Sequence, residues 1–380
     1  MSAPTAGLAA IPVMKPWLGD AEAAAAAEAV RSGWVAQGPR VAAFEVAVAA
    51  RVGARHAIAV SSCTTGLHLA LIAAGVGPGD EVVVPSLSFI ATANAARYVS
   101  ATPVFADVDM SGNLTADSIA SVLTARTKAV ILVHQGGMPA DVDAVHALCD
   151  PRRIEVIEDA ACAIGSTYRG REIGAHSGLV VFSFHPRKVI TTGEGGMVFA
   201  SDERRATRIR QLREHSMSVS AAERHASNSV VLEQYLETGY NYRMTDIQAA
   251  VGLVQLDRLD EIVARRRAMA DRYRALLSDV RGLLLPGDPP YGTTNYQSYQ
   301  VVLTDEYPIS RNELLERLFA QGISGRRGIM ASHLEPAYAD NSPRLPVTEF
   351  VTSNGIILPM FHVMTDEEQD RVAAVIRDVT

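Results

Sequence analysis

The stretch of sequence that decides the fold is LVVFSFHPRK at residues 179–188, which is followed by TTGEGG at residues 191–196. An apolar run typical of a buried strand leads into Lys188, and a glycine-rich turn leads out. Lys188 is one of three lysines in a chain that otherwise uses arginine for positive charge. Arginine can replace a lysine on the surface, but its guanidinium stays protonated and cannot act as an amine nucleophile. Exposed lysines are the commoner case, yet these flanking residues favour a buried amine that forms a Schiff base.

Length and composition are those of an ordinary globular protein, and they restrict the classes of partner that it is expected to have. A chain of 380 residues with 48% hydrophobic and 20% charged residues is long enough for about two domains. The net charge of −7 gives no basic surface for nucleic acid. Cysteine spacing suggests neither a metal site nor a disulfide framework. No membrane-spanning run or signal peptide is evident, so we predict a cytoplasmic protein with no nucleic-acid or membrane partner.

The alternation of strand and helix patterns predicts an α/β fold. Between residues 56 and 200, short β-branched runs alternate with helical spacing, which is typical of a mostly parallel central sheet flanked by helices. The runs are almost continuously apolar, as expected for strands buried on both faces. We predict a large α/β domain with an N-terminal arm at residues 1–250 and a smaller α+β domain at residues 251–380. The predicted strands of the large domain are 56–61, 81–85, 102–108, 128–134, 154–159, 179–184 and 197–200.

Polar residues at the predicted strand ends indicate a phosphate-bearing cofactor. In an open parallel sheet, ligands gather at the carboxyl ends of the strands. Residues 61–66 follow one strand and open a helix, where backbone N–H groups can bind phosphate, although an ordinary helix cap explains the segment equally well. Asp159 ends another strand, and Ser183 and Lys188 follow the next. Together they suit pyridoxal 5′-phosphate: the acid keeps the pyridine nitrogen protonated and the lysine bonds the aldehyde.

Further motifs are spread along the chain in a fixed order. They are SGW at 32–34, QGP at 37–39, GPGDEV at 77–82, FIATAN at 89–94, PAD at 139–141, EDAA at 158–161 and YNYRMTDIQAA at 240–250. With the run at 182–196, they resemble the DegT/DnrJ/StrS-type sugar aminotransferases over nearly the whole chain. These are pyridoxal-phosphate enzymes of fold type I, the aspartate aminotransferase fold.

The resemblance implies roles for three residues around the cofactor ring. Lys188 would form the Schiff base and, once released, would move the proton between the substrate carbon and the cofactor. Asp159 would pair with the pyridine nitrogen. Phe89 would stack on the ring face, although core packing is the commoner fate of a phenylalanine.

The resemblance also implies a phosphate site. Cys63 and Thr64, with Ser183, would hold the phosphate through backbone amides and hydroxyl groups. Asn241 would reach it from a neighbouring subunit, which implies a homodimer with shared active sites. Taken alone, Asn241 is equally plausible as a turn residue.

The chain departs from the family pattern at three places. Ser177-Gly178 stands where the family often has Gly-Asp. Cys162 occupies a position beside the cofactor that is frequently Gln or His, and this difference weakens any substrate assignment. Residues 134–137 (HQGG) replace a commoner His-x-Tyr-Gly pattern.

The leading functional hypothesis is amino transfer to a keto group of a nucleotide-activated sugar, with glutamate or glutamine as donor and ping-pong kinetics. We expect Arg243, Arg326 or Arg327 to meet the sugar nucleotide's pyrophosphate through forked hydrogen bonds. The loops that contain Trp34 and His333 are predicted to face the substrate.

Three alternatives stay open at this point. Ketocyclitol amination would use the same catalytic residues. Dehydration of a keto sugar is disfavoured because relatives with that activity tend to replace the Schiff-base lysine with histidine. A non-catalytic regulator that keeps the fold is also conceivable, but the intact Lys188 and Asp159 argue against it.

Overall fold

The protein is represented by a computed structural model that describes residues 9–219, 230, 232–340 and 343–379. Its strands form a large sheet and two smaller ones. In chain order the strands are β1 (His56–Val60), β2 (Glu81–Pro85), β3 (Thr102–Ala106), β4 (Thr127–Val133), β5 (Glu155–Asp159), β6 (Thr167–Tyr168), β7 (Arg171–Glu172), β8 (Leu179–Ser183), β9 (Gly196–Ala200), β10 (Leu283–Leu284), β11 (Gly292–Thr293), β12 (Tyr299–Leu303), β13 (Arg326–Arg327) and β14 (Gly355–Leu358).

The large sheet has seven strands in the order β1-β9-β8-β5-β4-β2-β3. Neighbouring strands pair in parallel from β8 to β3, whereas β9 runs antiparallel to both β1 and β8. Every residue of β2, β8 and β9 is buried, which explains the unbroken apolar runs in the sequence. The predicted α/β class with a mostly parallel sheet is therefore confirmed.

Helices cover both faces of this sheet and pack around the four-stranded sheet. They are α1 (Asp20–Arg31), α2 (Pro39–Val52), α3 (Cys63–Ala73), α4 (Ala91–Tyr98), α5 (Ala116–Ala120), α6 (Val142–Cys149), α7 (Glu203–Leu212), α8 (Asp246–Asp257), α9 (Leu259–Leu277), α10 (Arg311–Ala320), α11 (Pro346–Asn354) and α12 (Asp366–Arg377). Across the described residues, none of the helices is both long enough and apolar enough to cross a membrane.

A second core lies around the antiparallel sheet β10-β12-β14-β13. Its buried side chains come from that sheet and from α9, α10 and α12, and they include Tyr273, Tyr299 and Leu314. The predicted boundary between residues 250 and 251 falls inside α8, which packs against α1 and α2. The division into two domains at that boundary stays a prediction.

The strand register brings the polar ends of the large sheet together. Val60 at the end of β1 and Ser183 at the end of β8 are both paired with Gly196, the first residue of β9. Asp159 at the end of β5 lies beside β8 and is paired with Val181. One edge of the sheet therefore carries the start of α3, Asp159 and Ser183.

Candidate active site

The first turn of α3 presents backbone donors at this edge. Ser62 caps the helix: its Oγ accepts from the backbone N–H of Thr65 at 3.2 Å, and Thr65 Oγ1 accepts from the N–H of Ser62 at 3.1 Å. The next two residues, Cys63 and Thr64, occupy the first helical positions. Helical geometry offers the N–H groups of a first turn no acceptor within the helix, and the helix dipole makes this end attractive to anions.

Gly196 allows β9 to approach this helix end closely. A Cβ atom at residue 196 would lie 2.7 Å from the backbone nitrogen of Cys63 and 2.6 Å from the carbonyl carbon of Ser62. Any side chain here would therefore force the strand and helix apart. Ser183, opposite Gly196 in the sheet, is buried, and its Oγ accepts from the N–H of His185 at 3.4 Å.

Asp159 is a buried carboxyl group held by hydrogen bonds on both oxygens. Its Oδ2 accepts from Thr92 Oγ1 at 3.0 Å, and its Oδ1 accepts from the N–H of Ala161 at 3.2 Å. Cys63 Sγ lies 3.9 Å from Oδ1. Burial raises the pKa of Asp159 despite the N–H bond from Ala161 and the positive charge of Lys188. A cation in contact with this carboxyl group would reverse that effect.

Lys188 follows β8, and its amine lies at the same edge of the sheet as Asp159. Its Nζ donates to the Sγ of Cys162 at 3.1 Å. Burial acts to lower the pKa of Lys188, but Cys162, Cys63 and Asp159 together outweigh it and raise the pKa above its usual value. Lys188, Cys162, Asp159 and Cys63, which lie far apart in the sequence, thus form one cluster.

Two other predicted cofactor residues lie outside this hydrogen-bonded cluster. Phe89 is 63% exposed, just before α4, although it is large and apolar. Asn241 is exposed and forms a bridge with Glu214. The next residue, Tyr242, accepts from the N–H of Ser61 at 2.8 Å, so this segment passes close to the start of α3.

The predicted substrate residues are scattered. Arg326 lines a cleft of about 40 Å³ together with Arg187 and Gln297. Partial burial and the positive charges of Arg187 and Arg327 lower the pKa of Arg326. Arg327 lies 3.4 Å from a carboxylate oxygen of Glu335.

Of the other predicted substrate residues, Trp34 is 41% exposed and Arg243 is half-buried. His333 is a predicted substrate residue with a fully buried side chain. Its Nδ1 lies 2.5 Å from Ser86 Oγ, and its Nε2 lies 3.7 Å from Glu349. Its contacts are inside the protein, and its role at the substrate stays a prediction.

The sequence analysis missed Thr92, which contacts the candidate acid directly. Thr92 is buried, and its Oγ1 also lies 2.8 Å from the Oγ of Ser88. The sequence signals of this pair are the four-residue spacing of Ser88 and Thr92 and the place of Thr92 in the motif at 89–94. Thr92 supports Asp159 from α4, and Ser88 supports Thr92.

A second buried pair lies beneath the site. His134 Nδ1 accepts from the N–H of Ala140 at 3.0 Å, so Nε2 carries the proton and donates to Glu158 at 2.9 Å. Both side chains are fully buried. Burial acts to raise the pKa of Glu158, but the hydrogen bonds from His134 and Ser177 hold it below its usual value. Ser177, one of the departures from the family pattern, is part of this network.

We predict that Glu158→Ala lowers the free energy of unfolding by about 3 kcal/mol, because it leaves the buried N–H of His134 unpaired and opens a cavity. Chemical denaturation measures this change. Glu313→Ala, which removes an exposed partner of Arg317, is the matched control and should cost under about 1 kcal/mol. Equal effects of the two substitutions would contradict the structural role given to Glu158.

The residues at the sheet edge fit pyridoxal phosphate. The first turn of α3 and the close approach of Gly196 form a cradle for an anion, and the buried carboxyl group of Asp159 is suited to a cationic ring nitrogen. Lys188 supplies an amine beside them. Among the described residues, no three His, Cys, Asp or Glu side chains are placed to hold a metal ion. The fold and this set of residues define a pyridoxal-phosphate enzyme of fold type I.

A comparison with known proteins identifies the family to which the chain belongs. Residues 16–377 match the model of the DegT/DnrJ/EryC1/StrS aminotransferase family, and the chain belongs to that family. It is therefore a pyridoxal-phosphate-dependent aminotransferase of the sugar aminotransferase type.

Solved structures of similar proteins agree with this assignment. The aminotransferase TlmJ from Streptoalloteichus hindustanus is 37% identical over 97% of this chain and 98% of its own, with a TM-score of 0.89. DesI, solved in the presence of its TDP-sugar product, is 33% identical over 98% of this chain and 94% of its own, with a TM-score of 0.89. The PLP-form of the sugar aminotransferase Spr1654 from Streptococcus pneumoniae is 26% identical over 98% of both chains, with a TM-score of 0.91.

Proposed function

We propose that the protein transfers an amino group from glutamate or glutamine to a keto group of a nucleotide-activated sugar, by a ping-pong mechanism. The observation that carries this proposal is the cluster at the sheet edge, where the amine of the half-buried Lys188 lies with the buried carboxyl group of Asp159. The TDP-sugar product of DesI, a protein 33% identical to this chain, supports the choice of a nucleotide sugar.

Three residues would act on the ring of the cofactor and on its aldehyde group. When bound, pyridoxal phosphate supplies a ring that accepts the electrons of a substrate C–H bond. Lys188 would hold the cofactor through its amine and, once released, would carry the proton to and from the substrate carbon. Asp159 would keep the ring nitrogen protonated. Phe89 would cover the ring with its exposed apolar face.

The remaining cofactor residues would hold the phosphate. The backbone N–H groups of Cys63 and Thr64 and the hydroxyl group of Ser183 would bind its oxygens at the start of α3. Asn241 is exposed on a segment next to that helix end, and we assign it to the site of a second copy in a homodimer. Cys162 would lie beside the cofactor, next to Lys188.

The substrate side of the proposal rests on arginines. Within the described residues, neither Arg187 nor Arg326 forms an ion pair, and both line the cleft next to the segment of Lys188. Two adjacent guanidinium groups with no carboxylate partner suit a diphosphate, which can accept forked hydrogen bonds from both. Arg243 and Trp34 are the other residues that we assign to substrate binding.

We predict that Arg326→Gln raises the KM for a nucleotide-activated keto sugar by roughly 10- to 100-fold, the effect of losing one charge-assisted hydrogen bond. The rate of the donor half-reaction should stay the same. Steady-state kinetics with the sugar, and single-turnover spectra with L-glutamate, measure the two effects separately. Arg55→Gln removes an exposed arginine elsewhere and is the control.

Two results would contradict the proposed acceptor. One is an unchanged KM in Arg326→Gln, which would remove this arginine from the diphosphate site. The other is turnover of a ketocyclitol, but of no nucleotide-activated keto sugar, by the wild-type enzyme. Formation of a deoxygenated keto sugar without an amine would instead indicate dehydration.

A further inference from the structure

The candidate catalytic amine donates a hydrogen bond to a thiol. Cys162 Sγ accepts from Lys188 Nζ at 3.1 Å, well inside the distance for a hydrogen bond to sulfur. The backbone of Cys162 is fixed independently, because its carbonyl oxygen accepts from Asn295 Nδ2 at 2.8 Å. The same amide group also donates to the carbonyl of Ile164 at 2.8 Å. The thiol is thus held at a defined place beside Lys188.

We propose that Cys162 is a positioning residue for Lys188, and that its sulfur accepts a hydrogen bond from the lysine ammonium and holds the amine beside Asp159. This inference rests on the proposed role of Lys188. The ammonium donates and the sulfur accepts, so this contact fixes the position of Nζ without a covalent bond.

Cys162 is hydrogen-bonded to Lys188, and other titratable groups surround the pair. Cys63 and Asp159 also attract the ammonium, from α3 and β5. Burial and the carboxylate of Asp159 raise the pKa of Cys63. On the lysine's own turn, burial lowers the pKa of His185, whose nearest acid is Glu194 at 4.0 Å. Both ring nitrogens of His134 have other partners, the carboxylate of Glu158 and the N–H of Ala140.

The consequence is a change in the pH at which the amine becomes reactive. With Cys162 present, the sulfur and Asp159 outweigh burial, and the pKa of Lys188 lies above its usual value. Without the sulfur, burial weighs more heavily and favours the neutral amine. Lys188 must be neutral to add to the cofactor's aldehyde, because the nitrogen lone pair forms the new bond and water leaves.

The test measures how fast pyridoxal phosphate rebinds to the cofactor-free enzyme as a function of pH. In Cys162→Ala, the midpoint of this pH profile should fall by at least about one unit relative to wild type, the size expected for losing a hydrogen bond to the charged form of a group in a desolvated site. In Cys162→Ser, which keeps a hydrogen-bond acceptor at this position, the midpoint should lie between those of wild type and Cys162→Ala. Cys149→Ala removes a buried cysteine of α6, outside the site, and should leave the midpoint unchanged.

Equal midpoints of cofactor rebinding in wild type and Cys162→Ala, or a midpoint that falls as far in Cys149→Ala as in Cys162→Ala, would overturn the inference. Neither result would affect the proposed aminotransferase reaction, which Lys188→Ala and the spectral change with glutamate test separately.

Discussion

Replacing Lys188 by alanine should lower the rate of amino transfer by about 1,000-fold or more, since one substitution removes both the covalent attachment of the cofactor and the proton carrier. Borohydride should fix pyridoxal phosphate to the wild-type chain at the peptide that contains residue 188, and should fix none to Lys188→Ala. Peptide mass spectrometry and the rate of amine formation check the two parts of this prediction.

Two variants control for charge and for lysine chemistry elsewhere. Lys188→Arg keeps the positive charge but offers no neutral amine, so it should be as inactive as the alanine variant. Lys128→Ala removes an exposed lysine at the start of β4 and should behave like wild type. A Lys188→Ala enzyme with normal turnover would show that this amine takes no part in the reaction.

The second large effect is expected at Asp159. Asp159→Asn keeps the size of the side chain but removes the negative charge that would pair with the ring nitrogen. Losing a buried charge-assisted hydrogen bond of about 3 kcal/mol corresponds to a fall in kcat of about 100-fold. Stopped-flow measurement of the donor half-reaction isolates this step. Retention of more than about half of the wild-type rate would remove Asp159 from the mechanism.

The same substitution should have the opposite effect on the stability of the cofactor-free protein. Burial raises the pKa of Asp159 in the folded chain. Such a carboxyl group binds its proton more tightly when folded, so its stabilising contribution is present at low pH and is lost as the pH rises through the folded-state pKa. Cofactor-free Asp159→Asn should therefore melt at a higher temperature than wild type at pH 8, and the difference should shrink toward pH 4. A lower melting temperature at pH 8 would contradict this account.

The sequence predicted the large sheet well because its strands are marked by composition. Seven predicted strands correspond to β1, β2, β3, β4, β5, β8 and β9, with ends that differ by at most two residues. Burial on both faces demands continuous apolar runs, and these are visible without any structure. Lys188 stood out for a different reason, its rarity in a chain of arginines.

Other features could not be predicted because they depend on contacts between distant residues. The break between α8 and α9 falls at Arg258 without a glycine or proline to mark it in the sequence. His333 lies in polar loop sequence, and its complete burial follows only from packing near Ser86 and Glu349. The 26-residue separation of Cys162 and Lys188 likewise hides their contact.

The measurement that tests the central claim most directly is the absorption spectrum of the cofactor-loaded enzyme before and after addition of L-glutamate, with no sugar present. Lysine-bound pyridoxal phosphate absorbs at roughly 420 nm, and its aminated form absorbs at roughly 330 nm. We predict that glutamate converts the first band into the second, and that a nucleotide-activated keto sugar restores the first. A band near 420 nm that is unchanged by both glutamate and glutamine would contradict the account.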